Sequence, residues 1–124
     1  MFEIAVEESF AAGHALRGYK GKCENVHGHN YKVRVTLRGA KLDSTGLLCD
    51  FADLRQIIAR IIKTLDHKFL NDIAPFDQIN PSAENLAKYF YDESARQVGV
   101  RDGLELAEVK VWETDTTTAT YRGA

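Results

Sequence analysis

The segment CENVHGHNY, residues 23–31, places one thiol and two imidazoles within seven positions. The whole chain has only four histidines and two cysteines, so half of each type lies in this segment. On a regular strand, residues two apart point the same way, so His27 and His29 could bind one ion together. Zinc favours imidazole and thiolate ligands. The spacing predicts a zinc site, and the evenly matched alternative is a pair of polar histidines at a strand end.

A catalytic zinc site needs a third protein ligand and keeps its fourth position open. The candidates for that ligand are His14, Cys23 and His67. His14 follows the first predicted strand, where a loop could bring it alongside the second. His67, next to Asp66, could instead lower the pKa of the Cys23 thiol and make a thiolate base or nucleophile. Considered alone, Cys23 is better explained as a buried structural thiol than as a catalytic one. Asp66 and His67, considered alone, are better explained as the solvated end of a helix.

Hydrophobic periodicity predicts the elements that must position these groups. Alternating apolar residues predict strands over FEIAVEE and YKVRVTLR, and later over ELAEVKVWET and TATYRG. Between these pairs, a helical period predicts one helix capped by Asp50 and a second that Ser82 caps and Gly99 ends. The order strand, strand, helix, helix, strand, strand predicts an α+β fold: a four-stranded antiparallel sheet with two helices on one face.

The phase of two strands predicts which side chains reach the core face. In the second strand, His27 and His29 are in phase with the apolar residues that follow them. Near the C-terminus, Glu113 is in phase with Val109 and Val111, where the pattern expects an apolar residue. A buried charge costs several kcal/mol unless something pairs with it. Polar residues that break a local pattern in this way are expected at functional sites.

Length and composition limit the class of protein. The 124 residues predict a single domain, 1–124, and the net charge of -2 gives no reason to expect nucleic acid or an anionic membrane as partner. The N-terminus lacks the features of a signal peptide, and no stretch reaches the roughly 20 apolar residues of a membrane span. We therefore expect a cytoplasmic protein whose two cysteines are free thiols.

Six segments in order resemble the 6-pyruvoyltetrahydropterin synthase / 6-carboxytetrahydropterin synthase family. They are FAAGHAL, CENVHGHNY, GLLCDFADL, LDHKFLN, NPSAENLA, and VWET followed by ATY. The match runs nearly from end to end. The resemblance implies a T-fold of four antiparallel strands and two helices. It also implies trimers that close a barrel, and two trimers stacked as a homohexamer.

The resemblance implies a metal centre and a catalytic group. The implied zinc ligands are His14, His27 and His29. The implied catalytic thiol is Cys23, with Asp66 and His67 completing a triad. All four histidines thereby acquire a role.

The resemblance also implies how the substrate is held. Glu113 would anchor the pterin, because a carboxylate can accept both parallel N–H bonds of an amino-pyrimidine edge. Ser82 stands where relatives often carry threonine near the pterin, so it is a weaker candidate contact. Arg17, Lys20 and Lys22 could meet a triphosphate, and an ordinary solvated basic loop is an equal alternative.

The spacing Cys-x-x-x-His-Gly-His resembles that of the bacterial 6-carboxytetrahydropterin synthases of queuosine biosynthesis. These lyases convert 7,8-dihydroneopterin triphosphate to 6-carboxytetrahydropterin, acetaldehyde and triphosphate. The alternatives are 6-pyruvoyltetrahydropterin synthase activity and a non-catalytic zinc- and pterin-binding paralogue. A further alternative rests on Glu24, since in other relatives a glutamate at this place replaces the cysteine and directs cleavage to 6-hydroxymethyldihydropterin for folate.

Overall fold

The computed structural model describes residues 1–19, 21, 24–98 and 103–124. The strands are β1 (Phe2–His14), β2 (His27–Gly39), β3 (Lys68–Phe69), β4 (Leu104–Thr114) and β5 (Thr117–Tyr121). The helices are α1 (Phe51–Lys63) and α2 (Ala83–Val98), and a short 3₁₀ turn spans Leu70–Asp72. The strands form one sheet in the order β3-β1-β2-β4-β5. The α+β class and the two helices are as predicted.

The predicted four-stranded antiparallel sheet is wrong in one respect, because β3 adds a fifth strand parallel to β1. It pairs only Lys68 with Ala12 and Phe69 with Gly13. Two residues are too few to show an alternating pattern, so no sequence signal marked this strand. The pairing begins at His67, whose N–H donates to the Ala11 carbonyl at 2.6 Å.

β1 is also longer than the predicted segment FEIAVEE, and His14 is its last residue rather than part of a loop. The buried side chains Val6, Phe10 and Ala12 continue the even-numbered row of this strand to His14. The row includes Glu8 and passes through small residues, which weakens its hydrophobic pattern. Because His14 has an even number like Val6, Phe10 and Ala12, this shared alternation was the sequence signal that could have placed it on the strand.

Both predicted helix caps are present. The Asp50 carboxylate accepts the Ala52 N–H at 2.8 Å, and the Ser82 hydroxyl accepts the Asn85 N–H at 3.1 Å. Such caps satisfy N–H groups that have no partner inside a helix. Gly99, predicted to end α2, lies outside the described residues. Within the described ranges, neither helix is long and apolar enough to cross a membrane.

The core lies between the two helices and one face of the sheet. Its centre is a group of fully buried apolar side chains from both layers: Val33, Val35, Val109, Val111, Leu54, Ile58, Leu86 and Phe90. Phe10 and Tyr31 stack at the end of this core that is nearest His14, with ring centroids 5.0 Å apart. The opposite face is polar and includes Lys32 and Arg34, both paired with Glu7. Beyond Tyr31, the core-facing rows of β1 and β2 continue as imidazoles.

Candidate metal centre

Three histidines meet where β1 and β2 leave the core. The antiparallel register pairs Phe10 with Tyr31, then Ala12 with His29, then His14 with His27. One nitrogen from each imidazole lies within 4.8 Å of the other two. The structure thus brings His14, rather than His67, to the two imidazoles of the HGH motif. Cys23, the other candidate for a third ligand, lies outside the described residues.

Main-chain carbonyls determine which nitrogen of two rings faces the cluster. His14 Nδ1 lies 2.8 Å from the Pro81 carbonyl oxygen, and His27 Nδ1 lies 2.7 Å from that of Asn25. A carbonyl only accepts, so each Nδ1 carries the hydrogen, and in the neutral ring Nε2 keeps a lone pair. The two Nε2 atoms face each other at 2.9 Å. Two lone pairs at that distance repel each other unless a proton or a metal ion lies between them.

His29 supplies the third nitrogen. Its Nε2 is buried and has no hydrogen-bond partner in the part of the chain that the structure describes. The carboxylate oxygen Glu113 Oε1 is 3.6 Å away, beyond hydrogen-bonding distance. Burial lowers the pKa of His29, the neighbouring imidazoles of His14 and His27 lower it further, and Glu113 opposes them. A neutral imidazole is the form that binds metal, so the three-nitrogen donor set fits zinc.

A carboxylate and a phenol flank the imidazoles. Glu113 lies at a register shift between β4 and β5, and its side chain is about one-quarter exposed (26%). Burial, with a smaller contribution from the Glu113 charge, holds the pKa of Tyr31 well above its usual range, so Tyr31 stays a neutral phenol. Its hydroxyl lies 3.2 Å from His14 Nδ1 and is a second acceptor for that N–H.

Asp66 and His67 contact each other in the turn between α1 and β3. Asp66 Oδ1 lies 3.0 Å from His67 Nδ1 and also accepts the Ala11 N–H at 2.9 Å. The hydrogen bond from Ala11 lowers the pKa of Asp66, and His67 lowers it further. The His67 side chain is 81% exposed, and its backbone has a positive φ of 59°. The Asp66 carboxylate holds the His67 ring through Nδ1, which leaves Nε2 accessible.

An open cleft of about 500 Å³ connects the two groups of residues, because its lining includes both His29 and His67. Part of the lining is nearly free of side chains, since Gly13 pairs directly with Gly28 on the ladder. Lys68 contributes a cation. The volume is within the range of small-molecule sites in proteins.

The remaining candidate residues have simpler surroundings. Ser82 uses its hydroxyl as the α2 cap, and Glu24 is exposed. Lys20 and Lys22 lie outside the described residues, whereas the Arg17 guanidinium donates to main-chain carbonyls. The carbonyl acceptors of the imidazoles, Pro81 and Asn25, could not be predicted from the sequence, because any residue type supplies a carbonyl and no side-chain signal marks it.

Comparison with known proteins gives sequence matches over most of the chain. The chain matches the family model described as 6-pyruvoyl tetrahydropterin synthase over residues 3–124. A putative 6-carboxy-5,6,7,8-tetrahydropterin synthase of Archaeoglobus fulgidus is 36% identical over 113 residues, which cover 90% of this chain and 88% of that protein. The 6-pyruvoyl tetrahydrobiopterin synthase of Homo sapiens is 40% identical over 109 residues, 83% of this chain and 72% of that protein.

A solved structure agrees in fold. The 6-pyruvoyl tetrahydropterin synthase of Caenorhabditis elegans superimposes with a TM-score of 0.89 at 29% sequence identity. The superposition covers 99% of this chain and 96% of that one. The arrangement of two helices on the sheet is therefore shared along the whole length.

Proposed function

Because the chain belongs to the 6-pyruvoyl tetrahydropterin synthase family, we propose that it is a zinc-dependent 6-carboxy-5,6,7,8-tetrahydropterin synthase. Its substrates would be 7,8-dihydroneopterin triphosphate and one water molecule, and its products 6-carboxytetrahydropterin, acetaldehyde and triphosphate. One observation carries the proposal: one nitrogen from each of three imidazoles lies within 4.8 Å of the other two, beside the carboxylate of Glu113.

The broader assignment needs no proposal, since the family relationship makes this a tetrahydropterin synthase-type enzyme of pterin metabolism. The choice of product is our own inference. It rests on the short spacing between Cys23 and His27, and on relatives named 6-carboxy-5,6,7,8-tetrahydropterin synthase in Archaeoglobus fulgidus and Haemophilus influenzae. The relatives named 6-pyruvoyl tetrahydrobiopterin synthase support the alternative product.

Glu113 would hold the pterin. Its carboxylate can accept the two parallel N–H bonds of the amino-pyrimidine edge, in a geometry that one amide oxygen cannot reproduce. The side chain is only about one-quarter exposed, at 26%, which limits competition from water. Its position beside His29 would place the substrate side chain next to the imidazoles.

Zinc bound by His14, His27 and His29 would polarise the side-chain hydroxyls of the substrate. The protons on the carbons that carry these hydroxyls would become more acidic. The Cys23 thiolate would take such a proton as general base. The contact of Asp66 with His67 Nδ1 orients the imidazole so that Nε2 can exchange a proton with a thiol or with the substrate. Triphosphate would leave with breakage of its C–O bond to the side chain, and one water would be consumed as a C–C bond of the side chain breaks to release acetaldehyde.

The metal prediction follows from the donor set. The isolated protein is expected to contain about one zinc per chain, and His27→Ala or His29→Ala to remove most of it, because two imidazoles hold zinc far less well than three. Elemental analysis of the dialysed proteins measures this. His67→Ala is the matched control and should keep its zinc. Unchanged zinc in the His27 and His29 variants would refute the ligand assignment.

The pterin prediction concerns Glu113. Glu113→Gln is expected to weaken binding of 7,8-dihydroneopterin about tenfold to a hundredfold, since hydrogen bonds to a charged group contribute about 1.5–3 kcal/mol. Calorimetric titration gives the affinity. Glu105→Gln, at the other end of the same strand, should bind the pterin like the unaltered protein. Equal affinity of the Glu113 variant would remove this residue from the site.

The product prediction separates the candidate reactions. With dihydroneopterin triphosphate, the principal products are expected to be 6-carboxytetrahydropterin and acetaldehyde, identified by mass spectrometry. Cys23→Ala should lose them while retaining zinc. Glu24→Ala should retain them and lose any 6-hydroxymethyldihydropterin. A main hydroxymethyl product that depends on Glu24 would favour the folate branch instead, and pterin binding without turnover would favour a non-catalytic paralogue.

We extend the proposal to a homohexamer built from two trimers. Over the described residues, β1 between Phe2 and Phe10 pairs on one side only, and β5 is the other edge of the sheet. Unpaired edges favour association, and closing a barrel between copies removes them. Lys32 and Arg34 would then line a water-filled interior. Light scattering should give a hexamer at micromolar concentration, and a monomer would contradict this proposal.

A further inference from the structure

Two asparagine side chains take the place of a partner strand where the chain leaves β1. Asn71 Oδ1 accepts the Ala15 N–H at 2.9 Å, and Asn71 Nδ2 donates to the Ala15 carbonyl at 2.8 Å. Asn80 makes the same pair of bonds with Arg17, at 2.8 and 2.9 Å. A primary amide has an acceptor and donors side by side, so each asparagine can bond both main-chain groups of one residue, as a strand residue would.

Both asparagine brackets, Asn71 with Ala15 and Asn80 with Arg17, bind the main chain just after one candidate metal ligand, His14. Ala15 directly follows His14, and Pro81, whose carbonyl accepts the His14 Nδ1–H at 2.8 Å, directly follows Asn80. The main chain next to His14 and the acceptor of its side chain are therefore tied together through Asn80 and Arg17. The imidazole cannot turn about its side-chain bonds without breaking the bond to Pro81.

Further bonds brace this arrangement. Asn85 Nδ2 donates to the Asn80 carbonyl at 2.8 Å. The Arg17 guanidinium donates to the carbonyls of Phe76 and Ile79, at 2.8 and 3.2 Å. These bonds hold the segment before α2 against the end of β1. They also give Arg17 a use other than contact with a triphosphate.

We propose that the side-chain amides of Asn71 and Asn80 are positioning groups for the His14 ligand. They fix the Pro81 carbonyl and the end of β1 relative to each other, and so direct the Nε2 lone pair of His14 toward the other two imidazoles. The proposal rests on the proposed function, because it takes the three-histidine cluster as the zinc site. The simpler alternative is that both amides only hold two loops together.

The test changes each amide to the acid of the same shape, Asn71→Asp and Asn80→Asp. A carboxylate can still accept the main-chain N–H but places negative charge against the carbonyl, so each bracket loses one of its two bonds. Gln78→Glu is the matched control, since it adds the same charge at an exposed position of the same segment. Zinc affinity is measured by chelator competition, cobalt coordination by visible absorption, and folding by thermal unfolding of the metal-free proteins.

Loss of a group that orients a metal ligand typically costs about 10- to 100-fold in metal affinity. We expect a loss of this size in Asn80→Asp and Asn71→Asp, with an altered cobalt spectrum, while Gln78→Glu matches the unaltered protein. If both variants bind zinc and cobalt normally and only unfold at a lower temperature, the amides serve the loops alone and the proposal is wrong. If neither variant folds with or without zinc, the proposal is also wrong.

Failure of the proposed function gives a different result. If the unaltered protein binds no zinc, the three-histidine assignment fails before the variants are compared. If it binds zinc but the Asn71 and Asn80 variants equal it, only the positioning proposal fails.

Discussion

The antiparallel register between β1 and β2 is the constraint on which both the core and the candidate site depend. It pairs Phe10 with Tyr31, whose rings stack at 5.0 Å, and four residues further along β1 it pairs His14 with His27. Because side chains on a strand alternate between faces, a slip of one residue would move the apolar row to the polar face and separate the imidazoles. The burial that stabilises the core therefore also selects the geometry of the site.

At the end of that ladder, nitrogen atoms of the three imidazoles face one another and repel one another electrostatically. Carbonyl groups hold two Nδ1–H donors, so the Nε2 lone pairs of His14 and His27 face each other, and His29 Nε2 is buried without a described hydrogen-bond partner. Buried polar atoms without partners cost free energy. A metal ion bound there would relieve that cost, so part of its binding free energy would appear as stability of the folded chain.

The turn after α1 carries the second group of site residues, Asp66 and His67. This turn is hydrogen-bonded to the same strand, β1. His67 N–H bonds to the Ala11 carbonyl, and Asp66 accepts the Ala11 N–H. β3 then pairs with the next two residues of β1. The exposed imidazole of His67 and the buried one of His14 are thus placed by neighbouring parts of one main chain. This common anchor explains how a loop residue can border the same cleft as His29.

The sequence by itself determined the α+β class, the two helix caps, and the faces of His27, His29 and Glu113, because strand and helix periods and cap chemistry are local. Only the tertiary structure decided that a two-residue strand joins the sheet and that Asp66 accepts a hydrogen bond from the β1 main chain. These features depend on backbone groups and on pairings between distant segments. Backbone groups are the same in every residue type, so their partners leave no trace in the order of the side chains.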